Sequence, residues 1–504
     1  MKSAPIDKAV FWPALLVVFA AVVPIIVYPE QSGAVLGHTL DFVTDNFGSM
    51  FLLFAFFCFG LLMWMAFGRY GRVRFGGVDA IPEFRTMSWV AMLFCAGIGT
   101  ALLYWAAIEW AYYFQAPPFG LAPGTAEAAE WAAMYGMFHW GPMAWALYTV
   151  PALPIAYAFH NRRIPYLRIS QACRGMIGQR ADGPLGKLID VLFIFGLIGG
   201  TGTSLGLGTP IISESISALF GIERSFTLDI FVIVTWTVIF ATSVWLGIER
   251  GIRKLSDINV WLGICLLVLV ALLGPTLFII DSFTNSVGLL LTHFVRMSLY
   301  SDPLRESGFP QSWTVFYWAW WIAYAPFMGL FVARISRGRT IRGVIAANLV
   351  WGSLGCWLFF AVFGNTAMHF EISGQLPVIE IMNESSPQAA IVAVIQKLPA
   401  GGSVLVLFVA MCFIYSATTL DSSAYTISAV ASRDLVAGQA EPRRWNRLFW
   451  ALALGAVALA LMYLGGLEPL QTAAVIVAVP LVAVITLSVL SLLRWLGEDA
   501  SKEA

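Results

Sequence analysis

Long apolar runs alternate with short, arginine-rich polar connections along almost the whole chain. A helix needs roughly 20 apolar residues to cross a bilayer. Runs of that kind fall near 10–28, 48–68, 87–114, 131–159, 188–219 and 227–247. Six more fall near 258–280, 312–333, 343–365, 401–431, 447–466 and 470–494. The pattern predicts an all-α polytopic membrane protein with 12 transmembrane helices. With the N-terminus in the cytoplasm, all of the 29 Lys and Arg except Arg224, Arg296, Arg305 and Lys397 fall on the cytoplasmic side. One span more or fewer would invert every later loop and destroy that asymmetry, so both termini are expected inside.

The third, fourth, fifth and tenth runs are too long for simple crossings, which predicts tilt, breaks or bends. Breakers are at hand: Gly97 and Gly99 in the third, Pro142, Pro151 and Pro154 in the fourth, Thr209 and Pro210 in the fifth. Interrupted helices expose backbone groups to substrates and ions in secondary transporters. Between the seventh and eighth runs, Val287, Leu290, Leu291, Phe294 and Met297 recur at helical spacing, opposite Thr292, His293 and Arg296. That reads as an amphipathic helix on the outer surface, or one packed on a neighbouring subunit. The first run lacks a small-residue cleavage site and reads as a retained helix.

Composition narrows the function. The 504 residues are 59% hydrophobic and 12% charged with zero net charge, so no basic surface points to nucleic acid. Six scattered cysteines form neither a disulfide framework nor a zinc site. No cofactor is expected.

Residues 313–327 place eight aromatic side chains in fifteen positions. Trp313, Tyr317, Trp320, Tyr324 and Phe327 recur at helical spacing, and the run is too long to be only an interfacial belt. Trp140, Trp145 and Tyr148 add rings in the fourth span, and Trp105, Trp110, Tyr112 and Tyr113 in the third. Each ring taken singly reads as core or belt. Together, beside a glycine-broken helix, they read as a cage for an organic cation, whose charge is attracted to π faces. The stretch from Cys95 to Thr100 lacks the lysine of a phosphate loop and reads as unwound backbone facing a ligand or small cation. Tyr415, Ser416, Thr418, Thr419, Asp421, Ser422 and Ser423 in the tenth span read equally as back-bonded hydroxyls or as oxygen ligands for sodium. Intramembrane Glu109, Glu214 and His139 are costly enough to imply partners or water nearby. His139 as the base of a membrane acyltransferase lacks a nucleophile or an acid at triad spacing, so an enzyme is not expected.

The stretch G-F-P-Q-S-W-T-V-F-Y-W-A-W-W, with F-V-A-R-I-S-R-G-R-T after it, resembles the signature of the betaine/choline/carnitine transporters. P-P-F-G-L, F-H-W-G-P, G-T-S-L-G-L and T-N-S-V-G are similar too, so the resemblance covers nearly the whole chain. It implies inverted five-helix repeats of the amino-acid/sodium symporter type, preceded by two extra helices, in a homotrimer of the inner membrane. The implied divisions are a cytoplasmic tail (1–9), two N-terminal helices (10–86), the first repeat (87–281), a periplasmic amphipathic helix and loop (282–311), the second repeat (312–494) and a tail (495–504). The same resemblance implies a substrate cage of Trp140, Trp145, Tyr148 and Trp321, with Trp320 and Tyr112 beside it and Tyr324 on the inward pathway. It implies a Na⁺ site from backbone of Cys95, Ile98 and Tyr415 and hydroxyls of Thr418 and Thr419, and a second cation near Thr203, Ser204 and Phe327.

Wording around Y-W-A-A-I-E-W-A-Y-Y-F-Q-A-P-P-F-G-L is closest to the carnitine/γ-butyrobetaine exchangers, and Met328 agrees. Two features disagree. The exchangers place an Arg where this chain has Asn259, and they lack the glycines found here at Gly97 and Gly99. Choline carriers of the family place an Asp near Ala101, and this chain has none there. The resemblance therefore implies sodium-coupled uptake of a zwitterionic quaternary ammonium compound. Sodium-independent exchange is the alternative, and an open channel is disfavoured by the close-packed rings.

Overall fold

The computed structural model describes residues 2–97, 99–246, 249–433, 440–465 and 468–503. Helices α1 (Lys8–Val27) and α2 (Pro29–Phe67) meet at a bend where Pro29 opens the second. At 39 residues α2 begins well before the apolar run near 48, because Pro29 to Phe47 carries no helix breaker except glycine. The third run is broken as expected: α3 (Thr86–Gly97) and α4 (Thr100–Gln115) flank a gap in which Gly99 is extended. The fourth is broken too, into α5 (Ala126–His139) and α6 (Pro142–Ala156). Pro142 sits at the first position of α6, where its missing N–H costs nothing. A Cβ at Gly141 would lie 2.5 Å from the Met137 carbonyl oxygen, so glycine permits this turn. The carbonyl of Met137 accepts from the Trp357 indole at 2.7 Å, which satisfies backbone freed by the break.

Pro151 and Pro154 lie inside α6 and do not interrupt it. Nor is the fifth run interrupted at Thr209-Pro210: α7 (Pro184–Phe220) is one helix of 37 residues through Pro210. Neighbouring helices and hydroxyls such as Thr209, bonded to the Leu205 carbonyl at 2.7 Å, let a membrane helix carry an internal proline. Next come α8 (Phe226–Leu246), α9 (Glu249–Leu273) and α10 (Thr276–Leu299). The break at Gly274-Pro275 ends the seventh run earlier than its hydropathy suggests and frees α10 as a separate helix.

The aromatic run forms α11 (Pro310–Ile335) and the ninth forms α12 (Ile341–Ile372). Two short helices, α13 (Val378–Glu384) and α14 (Pro387–Lys397), precede α15 (Gly401–Val430), α16 (Arg444–Leu464) and α17 (Glu468–Glu503). Among the described residues, nine helices are long and apolar enough to cross a membrane, with shorter apolar helices at Phe226–Ile239 and Ile258–Leu273. Those nine include α10 and omit the split third and fourth runs.

Nearly every residue of α11 is buried, so it is the central helix, packed on α6, α7 and α17. Both chain ends lie on one face. The strand Lys2–Ala4 pairs in parallel with Ala440–Pro442, and Arg162 at the end of the fourth run holds Glu498 at 3.0 Å and Asp499 at 3.1 Å.

Candidate functional site

The half-helix arrangement of the fourth run sets the site. Trp140 sits in the break between α5 and α6, and Trp145 and Tyr148 follow on consecutive turns of α6. Trp321 of α11 faces all three. Its ring centroid lies 5.4 Å from Trp140, 6.1 Å from Trp145 and 4.4 Å from Tyr148. Trp145 and Tyr148 are edge-on at 5.9 Å, and Phe360 of α12 closes the Trp140 side at 5.9 Å. All five rings are buried, and the Trp321 indole N–H has no hydrogen-bond partner among the described residues. Space for this group depends on α12, since a Cβ at Gly352 would stand 2.3 Å from the Trp145 ring.

Trp320 stands at the flank, 6.1 Å from Trp140 and stacked on Phe316, with its indole N–H 3.5 Å from the Gly200 carbonyl. Tyr324 lies 6.5 Å from Tyr148, and its ring rests against Gly200, where a Cβ would come within 2.4 Å. Its hydroxyl is 3.3 Å from that of Thr201, which donates to Ser423 at 2.9 Å. Met328 is fully buried one turn beyond Tyr324. Tyr112 is elsewhere: it packs at 5.1 Å on Trp313 and bonds Tyr104 at 3.2 Å, in an outer ring cluster with Trp105. Because α11 is buried all round, its rings divide between α6 on one side and α4 and α7 on the other, and do not form a single stripe.

Glu109 joins the two ring clusters. It is fully buried and accepts from the hydroxyl of Tyr113 at 2.5 Å, from the Trp140 indole at 3.3 Å and from the Tyr317 hydroxyl. His139 adds Nδ1 at 2.9 Å from Tyr113 and 3.4 Å from Glu109, while its Nε2 lies 3.1 Å from the Thr314 hydroxyl. Both ring nitrogens are therefore engaged. Glu214 is half-buried and faces Arg224 at 3.6 Å.

The break in the third run packs on α15. Thr100 bonds Ser416 at 2.7 Å and the Cys412 carbonyl at 3.2 Å. A Cβ at Gly99 would lie 3.2 Å from the Thr419 hydroxyl oxygen, and Thr418 donates to the Tyr415 carbonyl at 3.0 Å. Gly99, Thr418, Thr419 and Tyr415 are thus gathered in one neighbourhood. Ile98 and the side chain of Cys95 lie outside the described residues. Asn259 of α9 is buried, and neither of its amide atoms has a hydrogen-bond partner among the described residues. Thr203 back-bonds to the Gly199 carbonyl at 3.0 Å, and Phe327 packs on Tyr324 at 5.2 Å. Ser204 is half-buried on the turn of α7 that carries Thr203. Among the described residues, no cluster of His, Cys, Asp and Glu suits a metal ion.

Gly200, Thr201 and Phe360 belong to this site without a motif that marks them, whereas Ser423 lies in the hydroxyl-rich stretch of the tenth span. The adjacent Gly199-Gly200 pair was the available signal, since paired small residues mark close approach between membrane helices.

The chain matches the model of the betaine/carnitine/choline family of transporters over residues 9–501. It is 38% identical over 441 residues, 87% of this chain and 91% of the other, to the "Uncharacterized transporter YeaV" of Escherichia coli (strain K12). It is 35% identical over 498 residues, 98% of this chain and 90% of the other, to a protein of Acinetobacter baumannii named "Carnitine transporter". A solved structure of a Na⁺-coupled sialic acid symporter in a substrate-bound outward-open state covers 90% of this chain and 86% of that one, at 12% identity and a TM-score of 0.45, a loose likeness.

Proposed function

The chain belongs to the betaine/carnitine/choline transporter family, and we propose that it carries a zwitterionic quaternary ammonium compound of the carnitine or betaine type into the cell together with Na⁺. The observation that carries this reading is the convergence of Trp140, Trp145, Tyr148 and Trp321 in one buried group, with the nearby acid Glu109 already held by Tyr113, Tyr317 and the Trp140 indole. Such rings replace the hydration of a trimethylammonium head, each contact contributing about 2 kcal/mol when dry. A substrate with its own carboxylate needs no acid from the protein, and the free Trp321 indole N–H is a donor for it. Trp320, Tyr324 and Met328 flank the cage, and Tyr112 belongs to its outer approach.

For the ion, the supporting observation is the Thr419 hydroxyl against Gly99, with Thr418 and the Tyr415 carbonyl beside it. A Thr418 hydroxyl that donates to Tyr415 keeps its lone pairs for a hard cation, and backbone at Cys95 and Ile98 completes our proposed set. The neutral Asn259 supplies no positive charge to displace sodium. A second cation near Thr203, Ser204 and Phe327 has less support, because the Thr203 hydroxyl is engaged with its own helix. Met328 favours the second reading, exchange of carnitine for γ-butyrobetaine without sodium.

We read the protein as a homotrimer of the inner membrane with twelve crossings, inverted repeats and cytoplasmic termini, working by alternating access. Uptake of radiolabelled carnitine and glycine betaine into proteoliposomes tests the proposal. Accumulation driven by an inward sodium gradient is expected. Uptake indifferent to sodium that appears only in betaine-loaded vesicles would establish exchange instead.

A further inference from the structure

On the face that carries both chain ends, six arginines are neutralised by acids. Arg162, Arg168, Arg174, Arg433, Arg447 and Arg494 each hold a carboxylate. One region of the same face is different. The segment 68–86, between α2 and α3, and the turn 334–342, between α11 and α12, together carry eight arginines against two acids, Asp79 and Glu83. None of the eight is in an ion pair among the described residues. Arg72, Arg85 and Arg337 are exposed and make no side-chain hydrogen bond.

The two segments form one platform. Phe75 N–H donates to the Arg339 carbonyl at 3.0 Å, Gly338 N–H to Phe75 at 2.8 Å and Ile341 N–H to Val73 at 2.9 Å. Arg74 ties the turn through the Gly338 carbonyl at 2.7 Å, and Asn161 at the end of the fourth run holds both Arg74 and Gly76. The platform also presents an apolar fringe. Phe67, Val78, Ile81 and Met87 are 77–87% exposed, and all four belong to this one stretch. Phe67 closes α2 and Met87 opens α3, so the fringe sits where membrane helices leave the bilayer.

We propose that this platform binds the headgroups of anionic phospholipids in the adjoining leaflet. Unpaired guanidinium groups match phosphate in charge and in fork geometry. Exposed apolar side chains beside them enter the acyl boundary, the combination by which a basic surface holds an anionic leaflet. A soluble partner would leave the fringe without an apolar environment. The inference is independent of the substrate and ion assigned above, and it is tested without either.

The full-length protein in neutral detergent is supplied with phosphatidylglycerol, phosphatidylcholine or soluble glycerol phosphate, and its Tm is measured. Phosphatidylglycerol is expected to raise Tm, less so as salt screens the charges, and the other two to leave it unchanged. In the Arg72→Gln, Arg85→Gln and Arg337→Gln variants, singly and combined, the phosphatidylglycerol shift shrinks stepwise while Tm in phosphatidylcholine stays that of the parent. The single variants keep the question open to test if the combined one fails to fold, since none of these side chains holds another group. An equal phosphatidylglycerol shift in parent and variants, or an equal effect of phosphatidylcholine, overturns the proposal. So does glycerol phosphate reproducing the whole shift, which makes the ligand a free anion.

Discussion

Trp140 donates its indole N–H to Glu109 at 3.3 Å, so a wall of the aromatic group is hung on a buried carboxyl that itself touches no open space. Tyr113 and Tyr317 bond the same carboxyl, which links the third run, the break in the fourth and the central helix. Replacing Glu109 with Ala takes the acceptor from the buried Trp140 indole and Tyr317 hydroxyl, each costing about 1–3 kcal/mol, while Tyr113 keeps His139. Glu109→Gln keeps the shape and turns an amide N–H₂ toward donors. Both variants are expected to lower Tm and weaken substrate binding, read by tryptophan fluorescence titration. A parent-like affinity in Glu109→Gln would show that Trp140 holds its place without the carboxyl.

Trp321 faces Trp140, Trp145 and Tyr148 together, so its loss opens the cage more than loss of any other ring. Trp321→Leu keeps an apolar side chain and removes the π face. Losing one dry contact of about 2 kcal/mol corresponds to roughly thirtyfold weaker substrate binding. Equilibrium binding to the purified variant checks this, and unchanged affinity would place the cage elsewhere.

A methyl group at Gly99 lies 3.2 Å from the Thr419 hydroxyl oxygen and must push it aside. Gly99→Ala, Thr418→Ala and Thr419→Ala are therefore expected to raise the sodium concentration for half-maximal uptake. Uptake that retains the parent sodium dependence in all three would remove the ion from this neighbourhood.

Gly352 leaves room for the Trp145 ring. Gly352→Ala overpacks that contact, at a cost of about 1–3 kcal/mol. Lower Tm together with weaker substrate binding is expected. A drop in Tm alone would separate Trp145 from the substrate.

On the loop after α10, Asp302 is buried, which by itself raises its pKa. The N–H groups of Ser307, Gly308 and Glu306 outweigh that and hold it below the usual carboxylate value. A depressed folded-state pKa stabilises the loop fully above the unfolded value of about 3.9, and the stabilisation is lost as pH falls through the folded pKa. Hydrogen exchange at Ser307 and Gly308 is expected to stay slow at neutral pH and quicken only at strongly acid pH. In Asp302→Asn it should be fast throughout.

Much of this architecture is legible in the chain. Hydropathy marks the membrane runs because bilayer thickness sets their length. The break after Gly97 is legible because two glycines flank it, and Trp140 falls in a second break because Gly141-Pro142 follows it. Proline alone misleads: Pro151, Pro154 and Pro210 sit in continuous helices, since neighbouring helices satisfy the backbone that a proline frees. The long start of α2 is hidden because the polar residues before Phe47 carry no apolar signal.

That this is a helical membrane protein with broken helices and an excess of rings follows from local composition and spacing along the chain. Only the tertiary structure decided which rings meet. Helical periodicity places Trp313, Tyr317, Trp320 and Tyr324 together, yet a helix buried on every side shares its rings among all its neighbours. Tyr112 packs on Trp313, Trp321 turns to Tyr148, and Glu109 gathers donors from positions up to 208 residues away. Such contacts arise from the packing of distant segments, which no local pattern encodes.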